Sequence, residues 1–430
     1  MKSALKKIVV IILIKEAAWL LRRHKPTIIA VTGSVGKTTT KDAIFAALKN
    51  SISTRKSEKS FNSEIGVPLT VLGLNNGWNN PLLWVKNIID GFFIAAFSKS
   101  YPAVLVLEAG IDRPGDMERL TQWVTPDVVV LTCLPSVPVH VEYFATPEEV
   151  ADEKMKLAEA LKPDGTFIYN ADDTIIESRL GDVRQRSLGF SRYLPSDYMG
   201  SHDHIVYHNE RATGYEFEVK HVDEMAIVRI DATIGSQQVY ACAAAIAVAD
   251  VLGISLQTAA TSLADLRTPN GRSRVVEGIK SSTIIDDTYN SSPAACEQAL
   301  QTLAEVKYAP RKIAVLGDML ELGRFSSEQH EHMGVLVARS ATMLLTIGVR
   351  ARKIAAGALD AGMPEEMILQ YDDSEQAGRE LQGIIQTGDV ILIKASQGIR
   401  AEKIVEEVMA HPEQAPELLV RQEEAWIKRR

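Results

Sequence analysis

The chain has 430 residues, 46% of them hydrophobic and 24% charged, with a mean hydropathy of −0.02. That composition excludes a largely disordered protein and provides for two or three cored units. Forty-seven Lys and Arg against fifty-five Asp and Glu give a formal charge of −8. There is no basic excess to neutralise a nucleic-acid backbone. The three cysteines, Cys133, Cys242 and Cys296, are odd in number and far apart. They make neither a disulfide framework nor a zinc knuckle, which points to a reducing, cytoplasmic setting.

The amino terminus places Lys2, Lys6 and Lys7 before an apolar run from Ile8 to Ile14. Lys15 and Glu16 end the run, and Trp19, Leu20 and Leu21 lead into Arg22, Arg23, His24 and Lys25. The run is too short for a bilayer span, which takes about 20 apolar residues. No small-residue cleavage site follows it, so a signal peptide is not indicated. Two readings of this helix remain. It rests on an anionic membrane surface as a peripheral contact, or it packs on the next domain and turns its charges to water, which is the commoner outcome. A second apolar stretch, Pro81 to Phe97, is broken by Lys86, Asp90 and Gly91 and also fails as a span. Together the two stretches could form one apolar face.

From Thr27 onward, apolar β-rich runs alternate with helix-like segments, which predicts an α/β fold with a parallel sheet and crossover helices. Strands are expected at Ile28 to Thr32, Ala103 to Ala109, Asp127 to Thr132 and Gly165 to Asn170. Helices are expected from Lys37 to about Leu48, from Pro147 to Leu161 and over the alanine-rich Gln238 to Leu252. Between Leu180 and Thr233 the runs shorten and grow polar, which suggests an antiparallel edge or a small subdomain. The turn-rich Thr268-Pro269-Asn270-Gly271 marks a candidate domain boundary. A second alternating series follows, with strands at Thr283 to Asp286, Lys312 to Leu316, Met343 to Ile347 and Val390 to Lys394. It reads as a smaller, doubly wound, Rossmann-like carboxy-terminal domain. The expected organisation is a basic apolar helix over 1–26, a P-loop ATP-binding domain over 27–269 with an insertion at about 75–101, and a second domain over 270–430.

The sharpest motif is Thr32-Gly33-Ser34-Val35-Gly36-Lys37-Thr38-Thr39-Thr40, set between a predicted strand and a predicted helix. Glycines let backbone amides turn toward phosphate oxygens, and the helix amino terminus adds a favourable dipole. Lys37 then reaches the β- and γ-phosphates, and the Thr38 hydroxyl is placed for Mg²⁺. The usual spacing has glycine where this chain has Val31, so the loop is a shortened variant.

Ligands of open α/β sheets sit beyond the carboxyl ends of the strands. Glu108 ends one strand, Asp286-Asp287 another, and Asp318 follows Leu316-Gly317. His140 follows a third strand, and Lys154 falls mid-helix, where a solvated charge is the ordinary expectation. The pairs His202/His204 and His330/His332 lack the spacing of a helical metal site.

These residues together resemble the Mur ligases, ATP-dependent amide-forming enzymes of peptidoglycan precursor synthesis. The resemblance runs from about Pro26 to about Val408 and rests on Thr32 to Thr40, Glu108 and Lys154. Three further stretches, Ser60 to Pro68, Asp286 to Pro293 and Leu316 to Gly323, bring it nearest to the family member that joins D-alanyl-D-alanine to UDP-N-acetylmuramoyl-tripeptide. The Asp-Asn-Pro-Arg motif of the diaminopimelate-adding relative is absent. Folylpolyglutamate synthetase shares the ATPase core but not the last stretch.

The resemblance implies that Lys37, with Gly33, Ser34, Val35, Gly36, Thr38 and Thr39, holds the phosphates of ATP. It implies that Asp287 and Asn290 lie near the nucleotide, that Arg272 reaches the γ-phosphate, and that Lys394 and Ser396 belong to a matching loop. Thr38 and Glu108 would hold one Mg²⁺ and His140 a second, with Lys154 as the family's carbamylated lysine. A carbamate suits that role, since it turns an ammonium into a hard oxygen ligand. The sequence departs from the family in four places. Only 32 residues precede Gly33, so the amino-terminal UDP-sugar domain is expected to be lacking, with 75–101 inserted instead. Cys133-Leu134-Pro135 and extra residues replace the usual approach to His140, and Ala241 stands where an asparagine is expected near the adenine. Ala395 and Gln397 depart from the family's Lys-Gly-Ser-Arg. Two rival readings are a Mur-type ligase with a lipid-linked acceptor and a non-catalytic ATP-binding scaffold.

Overall fold

The computed structural model describes residues 3–58, 62–78, 80–423 and 426. Lys2 and the Ser60-Phe61 part of the motif ending at Pro68 lie outside them. After helix α1 (Ser3–His24) come β1 (Thr27–Thr32), α2 (Lys37–Leu48), β2 (Thr54–Lys56), α3 (Gly66–Leu72) and α4 (Pro81–Phe97). They are followed by β3 (Val104–Glu108), α5 (Asp116–Thr121), β4 (Val128–Leu131), α6 (Pro147–Glu159), β5 (Thr166–Asn170) and β6 (Arg186–Ser191). Then come β7 (Tyr198–His208), β8 (Arg211–His221) and β9 (Glu224–Asp231). These strands form one sheet in the order β2-β3-β1-β4-β5-β6-β7-β8-β9.

Strands β1, β3 and β4 are covered on both faces, so they read as continuous apolar runs and pair in parallel. The expected antiparallel edge continues this same sheet and is not a separate subdomain. Its first two strands, β6 and β7, still run parallel, and antiparallel pairing begins between β7 and β8 and continues between β8 and β9. Along β9 buried and exposed residues alternate because one face meets water, which explains the polar composition there. The alanine-rich helix Gln237–Val251 is buried almost throughout and lies on α2, where small side chains let the two helices approach closely.

The second sheet is built from β10 (Arg274–Glu277), β11 (Thr283–Asp287), β12 (Lys312–Gly317), β13 (Met343–Ile347), β14 (Ile368–Tyr371) and β15 (Val390–Lys394). Its order is β10-β11-β15-β12-β13-β14, with only β10 antiparallel. The short strands β2, β10 and β14 give no clear period in sequence and escaped the reading above.

Helix α1 buries Val9, Leu13, Ala17 and Leu20 in a core shared with α3 and Leu105 of β3, so one face packs as a domain helix. The opposite face leaves Ile8, Ile11 and Trp19 exposed. Glu16 is the exception on the packed side. Its Oε2 has no hydrogen-bond partner, and burial raises its pKa to about 7. Among the described residues no helix is long and apolar enough to cross a membrane.

Candidate active site

Of the residues singled out from the sequence, those implied as catalytic, nucleotide-binding or metal-binding line, except for Gly33, one cavity of about 280 Å³ between the two sheets, while Asp286, Asp318 and Ser396 are not part of its lining. One wall holds Ser34 to Thr39, Glu108, His140 and Lys154, and the other Arg272, Asp287, Asn290 and Lys394. Strand register accounts for much of this. Val31 pairs with Glu108 across β1 and β3, so the carboxylate ends its strand where the glycine loop begins. Val31 is wholly buried in β1, which is why the loop opens two residues later than in the longer motif.

The loop takes its shape from the end of β4. Ser34 N donates to the Cys133 carbonyl at 2.8 Å, and the Thr132 hydroxyl donates to the Val35 carbonyl at 2.6 Å. Gly33 has φ +138°, and a Cβ there would lie 2.1 Å from Thr132 Oγ1. Gly36 has φ +86° and precedes the first residue of α2. Lys37 is half-buried and folds back on the loop, donating to Gly33 O at 2.9 Å and Ser34 O at 3.4 Å. Burial lowers its pKa, Glu108 opposes that shift, and Arg272 adds to it.

Glu108 is 1% exposed. Its Oε1 accepts from Asn62 Nδ2 at 3.0 Å, while Oε2 has no hydrogen-bond partner and lies 3.8 Å from Lys41 Nζ. Lys41 is itself buried and donates to the Ser57 carbonyl at 2.8 Å. Asn62 belongs to the motif ending at Pro68, whereas Lys41 lies in no motif of the sequence. Its signal is position, one helical turn beyond Lys37 on α2.

Lys154 overturns the ordinary expectation of a solvated charge, being 3% exposed on α6. Burial holds its amine well below the usual lysine pKa, and the nearby Lys37 charge adds to the effect. No hydrogen bond or ion pair of Lys154 Nζ is found among the described residues. His140, in a left-handed conformation at φ 69°, faces carboxylates. Its Nδ1 is 2.9 Å from Glu321 Oε2 and its Nε2 3.7 Å from Asp112 Oδ1. The imidazole holds the Glu321 carboxyl below its usual range. Among the described residues no three His, Cys, Asp or Glu side chains form a metal cage. The buried Glu108 Oε2, which accepts no hydrogen bond, and the Thr38 hydroxyl nevertheless offer hard oxygen donors of the kind Mg²⁺ takes.

Arg272 crosses the cleft. Its Nη2 donates to Thr38 Oγ1 at 3.0 Å, and its guanidinium stacks over Tyr289 at 4.2 Å. Lys394 Nζ donates to Asp287 Oδ2 at 2.7 Å and to the Asn290 carbonyl at 2.9 Å, which fixes the loop after β11. Asp318 accepts from Ala351 N at 2.7 Å, and Ser396 Oγ accepts from Leu320 N at 2.9 Å, so both hold the segment carrying Glu321.

Two further cavities adjoin the first. One shares Val35, Gly36, Gln237 and Gln298 with it and extends past Asn170, Asp173, Tyr240 and Ala241. The other shares Asn62 and Asp112 and is lined by α1, α3 and Trp123. Apart from Ala241, neither was foreseen, because such walls come together only in the fold.

The sequence profile of the Mur ligase middle domain matches residues 31–81 and 91–249, and that of the Mur ligase glutamate ligase domain matches 271–397. The UDP-N-acetylmuramoyl-tripeptide–D-alanyl-D-alanine ligase of Bacillus subtilis (strain 168) is 28% identical over 386 residues, covering 90% of this chain and 76% of that one. The Escherichia coli (strain K12) ligase of the same name is 24% identical over 396 residues, covering 90% and 78%. Among solved structures, the MurF ligase of Thermotoga maritima in complex with ADP superposes with a TM-score of 0.75 at 26% identity, covering 95% of this chain and 84% of that one. With both of its sheets matched and its cleft residues in place, the chain belongs to the Mur ligase family.

Proposed function

We propose that this chain is an ATP-dependent ligase of peptidoglycan precursor synthesis that joins D-alanyl-D-alanine to UDP-N-acetylmuramoyl-tripeptide. The observation that carries the reading is the single cleft in which Lys37, Thr38, Glu108 and Lys154 face Arg272, Asp287 and Asn290. The relatives named above and the ADP held by the Thermotoga maritima structure support it. We take the division of the chain at 269/270 as the joint on which the two halves close.

The substrate carboxylate attacks the γ-phosphorus of ATP, the bond to the bridging oxygen breaks, and ADP leaves an acyl phosphate. The neutral amine of D-alanyl-D-alanine then attacks the carbonyl carbon. Phosphate departs and the nitrogen gives up a proton as the amide forms. In this scheme Lys37 and the loop amides neutralise the β- and γ-phosphates, and Arg272 meets the transferring group from the opposite wall. The cavity past Asn170 and Tyr240 takes the nucleoside, and the cavity beside α1 takes the muramoyl substrate. Thr38 and Glu108, with His140 and a carbamylated Lys154, would hold Mg²⁺, which supplies charge neutralisation on the phosphoryl group. The buried amine of Lys154 supports the carbamate, since only an uncharged amine adds CO₂. Closure of the second half keeps water from the acyl phosphate.

The test is phosphate release from ATP with both substrates present and with each omitted in turn. Release that needs both supports the reading. Equal release without D-alanyl-D-alanine, or none with the UDP-linked tripeptide, refutes it.

A further inference from the structure

Of the twenty-one large apolar side chains exposed among the described residues, eleven lie on α1, on α4 or at Trp78 between them. That concentration makes one patch of what would otherwise be scattered surface residues. The two helices run side by side in the same sense. Trp19 meets Phe92 edge-on at 6.0 Å, Arg23 Nη1 donates to the Ala95 carbonyl at 3.0 Å, and His24 meets the Ser98 hydroxyl at 3.0 Å. On α4 the exposed residues Leu82, Ile89, Phe92, Phe93 and Phe97 follow helical spacing, and the three phenylalanines form an aromatic row with centroids 5.8 and 5.9 Å apart. On α1 the exposed stripe reads Ile8, Ile11, Lys15, Trp19, Arg22, so cations sit within the apolar face.

Charge decides what covers this face. Helix α1 and the residue after it carry Lys6, Lys7, Lys15, Arg22, Arg23 and Lys25 against Glu16, in a chain whose net charge is −8, and of these cations Lys6 is paired with Glu64 at 2.9 Å. Glu16 is turned inward and buried, so it does not offset them at the surface. A second copy seated face to face would bring the two basic clusters together. A surface of anionic lipid headgroups over acyl chains complements both the cations and the aromatic row. We propose that the α1–α4 face is a peripheral docking surface for anionic membranes. Lys6, Lys7 and Ile11 also border the cavity assigned above to the muramoyl substrate, whereas Lys15, Arg22, Phe93 and Phe97 line none of the cavities given to nucleotide, metal or substrate, so variants at these four test docking apart from the ligase reading.

The test is co-sedimentation of the full chain with vesicles containing about one-third phosphatidylglycerol or with pure phosphatidylcholine vesicles. We expect binding at least about tenfold stronger to the anionic vesicles, reversed by about 0.5 M salt and by an alkaline carbonate wash. The double variant Phe93→Ser/Phe97→Ser alters side chains that are 56% and 65% exposed, so its fold is expected to persist. It should lose at least about tenfold in vesicle binding while retaining wild-type ATP turnover. Lys15→Glu/Arg22→Glu should lose binding by a similar factor without touching an apolar contact. Absence of vesicle binding, undiminished binding in both variants, or retention through the carbonate wash would overturn the proposal. So would wild-type self-association in lipid-free buffer that the Phe93→Ser/Phe97→Ser variant abolishes, since the occupant would then be a second copy.

Discussion

Replacing Lys154 by methionine, alanine and arginine separates its packing from its chemistry. The side chain is 3% exposed, and its amine is held toward the uncharged form by burial. Methionine keeps most of the apolar stem and removes the amine, so stability should stay within about 1 kcal/mol of wild type. Alanine leaves an unfilled space and should cost roughly 2 kcal/mol or more. Arginine keeps a permanent charge that cannot take up CO₂ and should fail in catalysis as completely as the others. If a carbamate on Lys154 directs the metal, all three should slow ligation by about a thousandfold, which is about 4 kcal/mol of activation free energy. Substrate-dependent phosphate release, read beside denaturant midpoints, measures both effects. A short carboxylic acid added to Lys154→Ala should restore part of the rate by supplying oxygens in the vacated space. Ligation above a tenth of the wild-type rate in Lys154→Arg would remove the carbamate from the mechanism.

Lys37→Ala should abolish ATP turnover and shift stability by no more than about 1 kcal/mol, because among the described residues the amine bonds only to its own loop; retained turnover in a steady-state assay would contradict the loop assignment. Gly33→Ala forces a Cβ to 2.1 Å from Thr132 Oγ1 at φ +138°, so it should cost roughly 1–3 kcal/mol and weaken nucleotide binding, read by thermal shift with and without ADP. Asp286 is fully buried, and desolvation lifts its pKa from 3.8 to about 6. The folded state therefore favours its protonated form, and the stability from that form is complete below pH 4 and lost as pH rises through 6. Asp286→Asn should gain on wild type by on the order of 3 kcal/mol between pH 4 and pH 8 in urea titrations, and a pH-independent difference would refute the shift.

The central strands and the glycine loop were legible in sequence because β1, β3 and β4 are apolar on both faces and the loop has a fixed spacing. Strand β2 was not, since Thr-Arg-Lys at a sheet edge carries no apolar period. Burial of Lys154 was invisible because the neighbours Asp152, Glu153 and Lys156 mimic a solvated face, while Glu153 turns in to accept from Met117 N at 2.9 Å. The contact of His140 with Glu321 joins a residue that follows one strand to one inside the Leu316 to Gly323 motif of the other half, and only the closing of one sheet on the other brings them together.

The dependence of the phosphate loop on β4 also bears on when the site can exist. Its shaping partners, Thr132 and Cys133, follow the loop by about a hundred positions. A ribosome-bound chain that has released its first hundred residues has the glycines and Lys37 in hand but nothing to set their backbone against. Nucleotide cannot steady such an intermediate, and a graft of residues 27–48 into another scaffold would carry the motif without its mould. The loop becomes an anion receptor only once β4 has emerged and settled beside β1, so birth order along the polypeptide delays binding until this half of the sheet stands.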